Sequence, residues 1–433
     1  MPIEPRESPD QAAHHTRPLG PWMATALVVG SMIGSGLFLL PASMAQYGGV
    51  SLLGWGITLA GSLALAWTFA RLAMRWPQTG GPYVFARNAF GDAPGFFVAW
   101  SYWISIWCGN AAIAVAFAGS VGALFPAATA TPLRAAALAL GGLWFCAGVN
   151  LVGVREAGRM QLLLTILKFV PLLLFACIAV WFVDPGRFVP FNPSGESLPG
   201  AINATVALAL FALCGVEVAT IPAGAIDQPE RTIPRATMLG TLLAGVVTVL
   251  AVTAVMGIMP AEALKQSSAP MADAARMLWG PWAGTGIAMV AAISCLGALN
   301  GWVLLSAQIP FAAARDGLMP KPFTVLDKGG TPVVGLLASS VLASLLIGAN
   351  FSRSLVQLFT FSILLSTAAI LLPYLVDSAA WLWRGERKGR LVALFALAYS
   401  IYALIGTGSE ALLWGAVLLL AGLPVYLWMR RKA

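Results

Sequence analysis

Charge is what this sequence lacks most. Only 10% of its 433 residues are charged, while 59% are hydrophobic, against a usual charged share of roughly 25% in soluble domains. So few charges cannot cover the surface of a water-soluble protein of this length, and a lipid bilayer is the solvent that can take their place. Histidine is nearly absent: His14 and His15 adjoin in a polar N-terminal tail, where two neighbouring imidazoles alone make a poor metal site. No metal and no cofactor is expected. Neither His-Glu-x-x-His nor Gly-x-Ser-x-Gly occurs, and there is no P-loop. These absences argue against a membrane-embedded enzyme and against ATP-driven pumping by this chain alone. The cysteines Cys108, Cys146, Cys177, Cys214 and Cys295 are odd in number and all lie in apolar stretches, so they read as small core residues and not as a disulfide framework. Residues 1–18 contain no apolar run. No cleavable signal peptide is expected, and the first hydrophobic segment should remain as a membrane span. No loop exceeds about 25 residues, which leaves little room for the soluble domain of a sensor.

What is present is a succession of apolar runs. A bilayer core of about 30 Å needs about 20 apolar residues per helix. That ruler predicts twelve spans, near 20–42, 50–74, 95–122, 133–151, 160–183, 199–224, 236–258, 281–314, 332–350, 355–380, 391–406 and 411–429. The eighth is long enough to project beyond the membrane. With the N-terminus inside, nineteen of the 25 Lys and Arg fall on the cytoplasmic side. Only Arg134, Arg187, Lys265, Arg276 and Arg353 fall opposite, which satisfies the positive-inside rule loop by loop. Both termini are therefore expected in the cytoplasm. The net charge of +8 follows from this topology and gives no support to nucleic-acid binding.

Two spans carry glycine-rich interruptions at mid-depth: Gly30-Ser-Met-Ile-Gly34-Ser35-Gly36 in the first and Ala212-Leu-Cys-Gly215-Val-Glu217 in the sixth. Glycine costs about 1 kcal/mol relative to alanine inside a helix, so three within seven residues invite unwinding. Gly30 and Gly34 alone would equally suit a small-xxx-small packing contact. The first and sixth spans are, however, corresponding members of two successive five-helix sets, and paired interruptions of this kind point to a transporter site built from an inverted repeat. Broken helices leave free N–H groups at one end, which favour an anion, and free carbonyls at the other, which favour an ammonium. One site offering both suits a zwitterion such as an amino acid. Non-helical backbone at this depth must line a cavity or be buried in protein.

Charges inside the spans are costly, about 2.5–3.5 kcal/mol at a helix centre, and so need a partner or a role. Glu217 follows the break in the sixth span. It reads either as a structural carboxyl bonded to backbone or tyrosine groups, or as a proton-titrating group that couples protonation to opening. Lys168 lies about nine residues into the fifth span, too deep to snorkel easily. Its ammonium either is structural or stands where another transporter would bind Na⁺, holding the broken first helix against the eighth. Asp377, near the cytoplasmic end of the tenth span, is expected at the interface.

Gly34-Ser-Gly-Leu-Phe-Leu-Leu-Pro41, Pro77-Gln-Thr-Gly-Gly-Pro-Tyr83, Gly215-Val-Glu217 and Pro229-Glu-Arg-Thr-Ile-Pro234 resemble the amino acid–polyamine–organocation (APC) superfamily. Within it they are similar to the basic amino acid/polyamine antiporters of the arginine/agmatine type. The resemblance runs from about residue 20 to about 380. It implies an all-α polytopic LeuT-type fold of twelve helices, with inverted five-helix repeats near 20–183 and 199–380, two extra helices near 391–429, and one transporter domain over 19–433 after the tail. It also implies exchange of a cationic amino acid or its amine by alternating access in the bacterial inner membrane. Carried over position by position, Ser35 and the Gly36 amide would meet the substrate carboxylate, and carbonyls of Met32, Phe211 and Cys214 its α-amine. Ser31, Ser105, Asn110, Trp302 and Ser366 match other positions around the substrate, and Tyr102, Glu217 and Tyr374 a polar gate on the cytoplasmic side. Trp302 has its own physical warrant, since an aromatic face attracts an ammonium or guanidinium, although most tryptophans are simply core or interfacial. The sequence departs from those antiporters in three places. Phe211 replaces a gating tryptophan, Ser31 replaces an asparagine, and Lys168 is similar to the lysine of proton-coupled amino acid permeases. A proton-coupled permease of broader or neutral amino acid specificity is thus the alternative. The partners expected are a small amino acid or polyamine and the bilayer. A homodimer is compatible with the sequence, which does not fix the oligomeric state.

Overall fold

The computed structural model describes residues 20–152, 169–223, 226–327 and 329–431, except for the side chains of Ser35 and Gly36. Lys168 lies outside the described residues. Within them the molecule is helical throughout, with one isolated bridge between Leu326 and Pro332. The elements are α1 (Pro21–Met32), α2 (Ser35–Met44), α3 (Val50–Arg75), α4 (Pro82–Phe90), α5 (Asp92–Leu124), α6 (Pro132–Val152), α7 (Phe169–Phe182), α8 (Leu198–Ala212), α9 (Pro229–Ile258), α10 (Ala261–Gln266), α11 (Pro270–Trp279), α12 (Pro281–Arg315), α13 (Val333–Ala349), α14 (Leu355–Arg384), α15 (Arg390–Gly406), α16 (Gly408–Leu420) and α17 (Gly422–Arg430). Each of the twelve predicted segments contains helix. Among the described residues eight stretches are long and apolar enough to cross a bilayer, with α1–α2 and α16–α17 each counted as one, and α7, α8, α13 and α15 are shorter apolar helices.

The helices do not share the interior equally. α5 is the central post: 89% of its apolar window is buried, against 6% for the Gly408–Arg430 stretch at the periphery. It packs most extensively on α12 and α14, while α9 packs on α3 and α1. Its inner face is rich in small residues (Ser101, Ser105, Gly109, Ala112, Ala116), which let neighbouring backbones approach where no hydrophobic effect drives helices together. α12, at 35 residues, is about 52 Å long at 1.5 Å per residue and does exceed the bilayer core. Large apolar side chains such as Leu133, Trp181, Trp282, Trp383, Leu391 and Leu413 face outward, as a surface solvated by lipid requires.

Two expectations need correction. Asp377 does not face the surface as an interfacial residue would: it is 0% exposed, enclosed by the elements around α14. Cys177 is not a core residue but exposed on α7, whereas the other four cysteines are buried; all five are free thiols. In both cases the position along the span was legible, and the rotation of the helix about its axis was not.

Polar contacts mark the two ends of the bundle. At one end Tyr83 on α4 donates to the Asp316 carboxylate just past α12 (3.1 Å), Arg87 pairs with Asp92 (2.7 Å), and the Gly80 amide reaches the Ile221 carbonyl (3.0 Å). Burial and the Asp316 carboxylate push the Tyr83 phenol well above its ordinary range, so it stays a donor. At the other end Arg353 pairs with Glu410 (2.7 Å) and covers the Phe361 ring (4.7 Å).

Candidate substrate site and the cluster beneath it

Both glycine-rich interruptions are real breaks. α1 ends at Met32, Ile33 adopts extended backbone, Gly34 follows in a non-helical conformation, and α2 begins at Ser35 with no side-chain cap on its first amides. α8 ends at Ala212, and Leu213–Glu217 turn away before a short 3₁₀ turn at Val218–Thr220. The remainder of the predicted sixth span, to Ala223, continues as turns and not as an α-helix. Gly215 explains the sharpness of the second break. Its φ is +106°, which strains any residue with a Cβ, and a Cβ there would sit 2.9 Å from Ser31 Oγ. The two breaks therefore touch, Gly215 against Ser31. On the opposite side α12 closes in, since a Cβ on Gly34 would lie 3.1 Å from Ala298 Cβ.

Between the breaks, α5, α12 and α14 line a small cavity of about 40 Å³. It brings together Ser31, Met32, Ser105, Phe211, Cys214, Trp302 and Ser366 from the predicted set, and adds Gly34, Ile106, Gly109, Ile113 and Ile370. Asn110 does not line it; it is 2% exposed, and its Oδ1 has no hydrogen-bond partner. Ser35 and Gly36 belong to the first turn of α2 at the edge of the break, and nothing is described of their side chains. The added α5 residues follow from helical spacing, because 102, 105, 106, 109 and 113 share one face. The lack of a side chain at Gly109 makes room in the cavity: a Cβ there would lie 3.3 Å from Ser366 Oγ and 3.8 Å from Phe211 Cε2. Phe211 in turn meets Phe359 of α14 edge-on at 6.1 Å.

The hydroxyls of the cavity have already spent their protons. Ser31 donates to the Val28 carbonyl (2.8 Å), Ser105 to Tyr102 (2.7 Å) and Ser366 to Ser105 (2.7 Å). Each has one hydrogen, so what it can offer a ligand is lone pairs. Trp302 Nε1 likewise donates to the Ser31 carbonyl (3.2 Å), which ties α12 to the broken helix and leaves the indole ring to line the cavity. The Phe211 carbonyl, assigned by resemblance to an α-amine, already accepts from the Cys214 amide at 3.3 Å, although a carbonyl has a second lone pair.

One helical turn below the cavity on three elements lies a closed polar cluster. Glu217, 0% exposed, accepts from Tyr102 at Oε1 (2.6 Å) and from Tyr374 at Oε2 (2.7 Å). Tyr102 is the residue whose carbonyl takes the Ser105 proton, Tyr374 lies one turn past Ile370, and Glu217 lies three residues past Cys214. The three predicted gate residues thus meet as one group, forming a floor to the cavity.

The pattern of residues over nearly the whole chain matches the model of a known family, described as amino acid permease, across residues 19–429. The chain belongs to this family, within the APC superfamily. It is 30% identical to the putrescine transporter PotE of Escherichia coli (strain K12) over 419 residues, which cover 94% of this chain and 95% of that one. It is 34% identical to the cadaverine/lysine antiporter of the same organism over 324 residues, 75% of this chain and 72% of that one. The putrescine transporter PotE of Haemophilus influenzae (strain ATCC 51907 / DSM 11121 / KW20 / Rd) is 30% identical over 418 residues. The family is one of transporters, and this multi-pass membrane protein is accordingly a transporter and not an enzyme.

Proposed function

We propose that the protein exchanges a cationic amino acid, its decarboxylated amine, or both, by alternating access across the bacterial inner membrane. The observation that carries this reading is the exhausted hydroxyls. Ser31, Ser105 and Ser366 have only lone pairs left to offer, and Trp302 adds an aromatic ring, so the polar lining accepts hydrogen bonds and suits a ligand rich in N–H donors. An ammonium or guanidinium is such a ligand, and the indole face attracts it further. The uncapped amides at the start of α2 favour the carboxylate of an amino acid. An amine lacking that group would rely on the acceptors and the ring alone. The names of the relatives, a putrescine transporter and a cadaverine/lysine antiporter, support the same substrate class.

The architecture in this proposal is the twelve-span LeuT-type fold, with inverted repeats near 20–183 and 199–380, extra helices near 391–429 and both termini cytoplasmic. It is supported by the facing breaks at Gly34 and Gly215 and by the ends of α3, α12 and α14, which carry Arg75, Arg315 and Arg384. Ser31, Met32, Ser35, Gly36, Ser105, Phe211, Cys214, Trp302 and Ser366 are its substrate residues, Asn110, which does not line the cavity, being left out, and Tyr102, Glu217 and Tyr374 are its inner gate. Lys168 stays a candidate for proton coupling. A second reading, a proton-coupled permease of broader or neutral amino acid specificity, is favoured by the aliphatic lining of Ile106, Ile113 and Ile370 and by Phe211. Counterflow in proteoliposomes tests both. Radiolabelled lysine and arginine should enter vesicles loaded with lysine, cadaverine or putrescine, and leucine should not. Entry of leucine alone would establish the second reading and overturn the first.

A further inference from the structure

The gate cluster does not account for every buried carboxyl. Asp377 is 0% exposed, and neither of its oxygens has a hydrogen-bond partner. On α14 it continues the stripe that begins in the cavity. Ser366, Ile370, Tyr374 and Asp377 stand at i, i+4, i+8 and i+11, one face of a helix, and the eleven residues from Ser366 to Asp377 span about 16 Å. The stripe therefore runs from the cavity, past the phenol that holds Glu217, toward the end of α14 that bears Arg384.

No cation neutralises Asp377 among the described residues. The charged groups on the elements packed against α14 are engaged elsewhere or lie at the surface. On α3 Arg71 covers the Trp67 ring at 5.2 Å and Arg75 the Trp76 ring at 5.5 Å, and Arg87 on α4 pairs with Asp92 at the start of α5. Arg390 at the start of α15 is exposed, and Glu410 on α16 pairs with Arg353 at the far end of the bundle. Tyr102 on α5 and Tyr374 on α14 both donate to Glu217. An ionised carboxylate buried without donor or counter-charge is untenable, and such a group takes up a proton instead.

We propose that Asp377 is a second proton-binding site of the transport cycle, working with Glu217. With Asp377 buried as it is here, its carboxyl holds a proton on one oxygen. When the Arg384 end opens, that O–H bond breaks, the proton passes to water as hydronium, and the carboxylate remains. Closing reverses the step, so protons and charge balance over a full cycle. The idea rests on the transport reading above, and its test has one arm that does not.

That arm is infrared spectroscopy of the purified protein at neutral pH. Wild type should show the C=O stretch of protonated carboxyls, and Asp377→Asn should lose one component. An unchanged protonated-carboxyl band in Asp377→Asn means that Asp377 is ionised and overturns the proposal. The second arm is exchange of external radiolabelled lysine into cadaverine-loaded proteoliposomes over a range of external pH. The shape of the profile, not the rate, is the readout. Asp377→Asn should flatten the pH dependence of wild type, and Asp377→Glu, which restores a carboxyl, should recover it. A profile in Asp377→Asn that follows wild type makes the residue structural and refutes the coupling. Failure of wild type to carry either compound would instead sink the substrate assignment, and the infrared result would still decide whether Asp377 binds a proton.

Discussion

Replacing Trp302 with leucine separates two contributions that a simple loss of function would confuse. The indole N–H holds the Ser31 carbonyl at 3.2 Å, a bond that steadies the broken first helix whatever the ligand. Losing it costs about 0.5–1.5 kcal/mol, and that cost falls on every substrate alike. The ring face serves only a cation, by about 0.5–2 kcal/mol. Trp302→Leu should therefore weaken both lysine and alanine, but lysine more, by roughly 2–30-fold beyond the common loss. Trp302→Phe keeps an aromatic face while losing the N–H, so it should show the common loss and much less of the selective one. Titration calorimetry of purified protein with the two amino acids measures both terms. Equal losses for lysine and alanine in Trp302→Leu would refute cation recognition by this ring and favour the neutral-substrate reading.

The same cavity supports further tests. Ser105→Ala with Ser366→Ala removes two acceptors, which should cost lysine or putrescine about 0.5–1.5 kcal/mol per lost bond and leave alanine nearly unaffected; competition binding reads the difference. Gly109→Val places atoms where a Cβ alone already lies 3.3 Å from Ser366 Oγ, so binding should vanish while thermal unfolding of the unliganded protein changes little. Tyr374→Phe deletes one of the two bonds to Glu217 and should open the floor of the cavity. In a Cys177→Ser background, Cys214 should then react faster with a membrane-permeant thiol reagent than in the parent, and an unchanged rate would argue against a gating role for the cluster.

Much of this was legible in one dimension because the bilayer is a severe solvent. Helix length, apolar composition and charge placement are imposed residue by residue, so the apolar runs were found where the described residues form helix, eight stretches of it long enough to cross a bilayer. The breaks were legible for a related reason: glycines at mid-depth are costly enough that Gly34 and Gly215 announce an unwound backbone. The resemblance, in turn, pointed to seven of the residues that line the cavity.

What the sequence could not supply was the angle at which each helix turns about its axis and the partners it meets there. Asp377 and Cys177 have similar one-dimensional surroundings, an unusual residue in an apolar run, yet one is enclosed and the other faces outward. The direction of each hydroxyl proton was equally hidden, since Ser105 and Ser366 become acceptors only once the Tyr102 and Ser105 carbonyls are fixed beside them. The contact of Gly215 with Ser31, the meeting of Phe211 with Phe359 and the clamp of two phenols on Glu217 join residues far apart in the chain. Composition and hydropathy are sums along a segment, and they determined that this protein lives in a membrane and breaks two of its helices there. Which side chains face one another across those breaks depends on packing in three dimensions, and only the tertiary structure decided it.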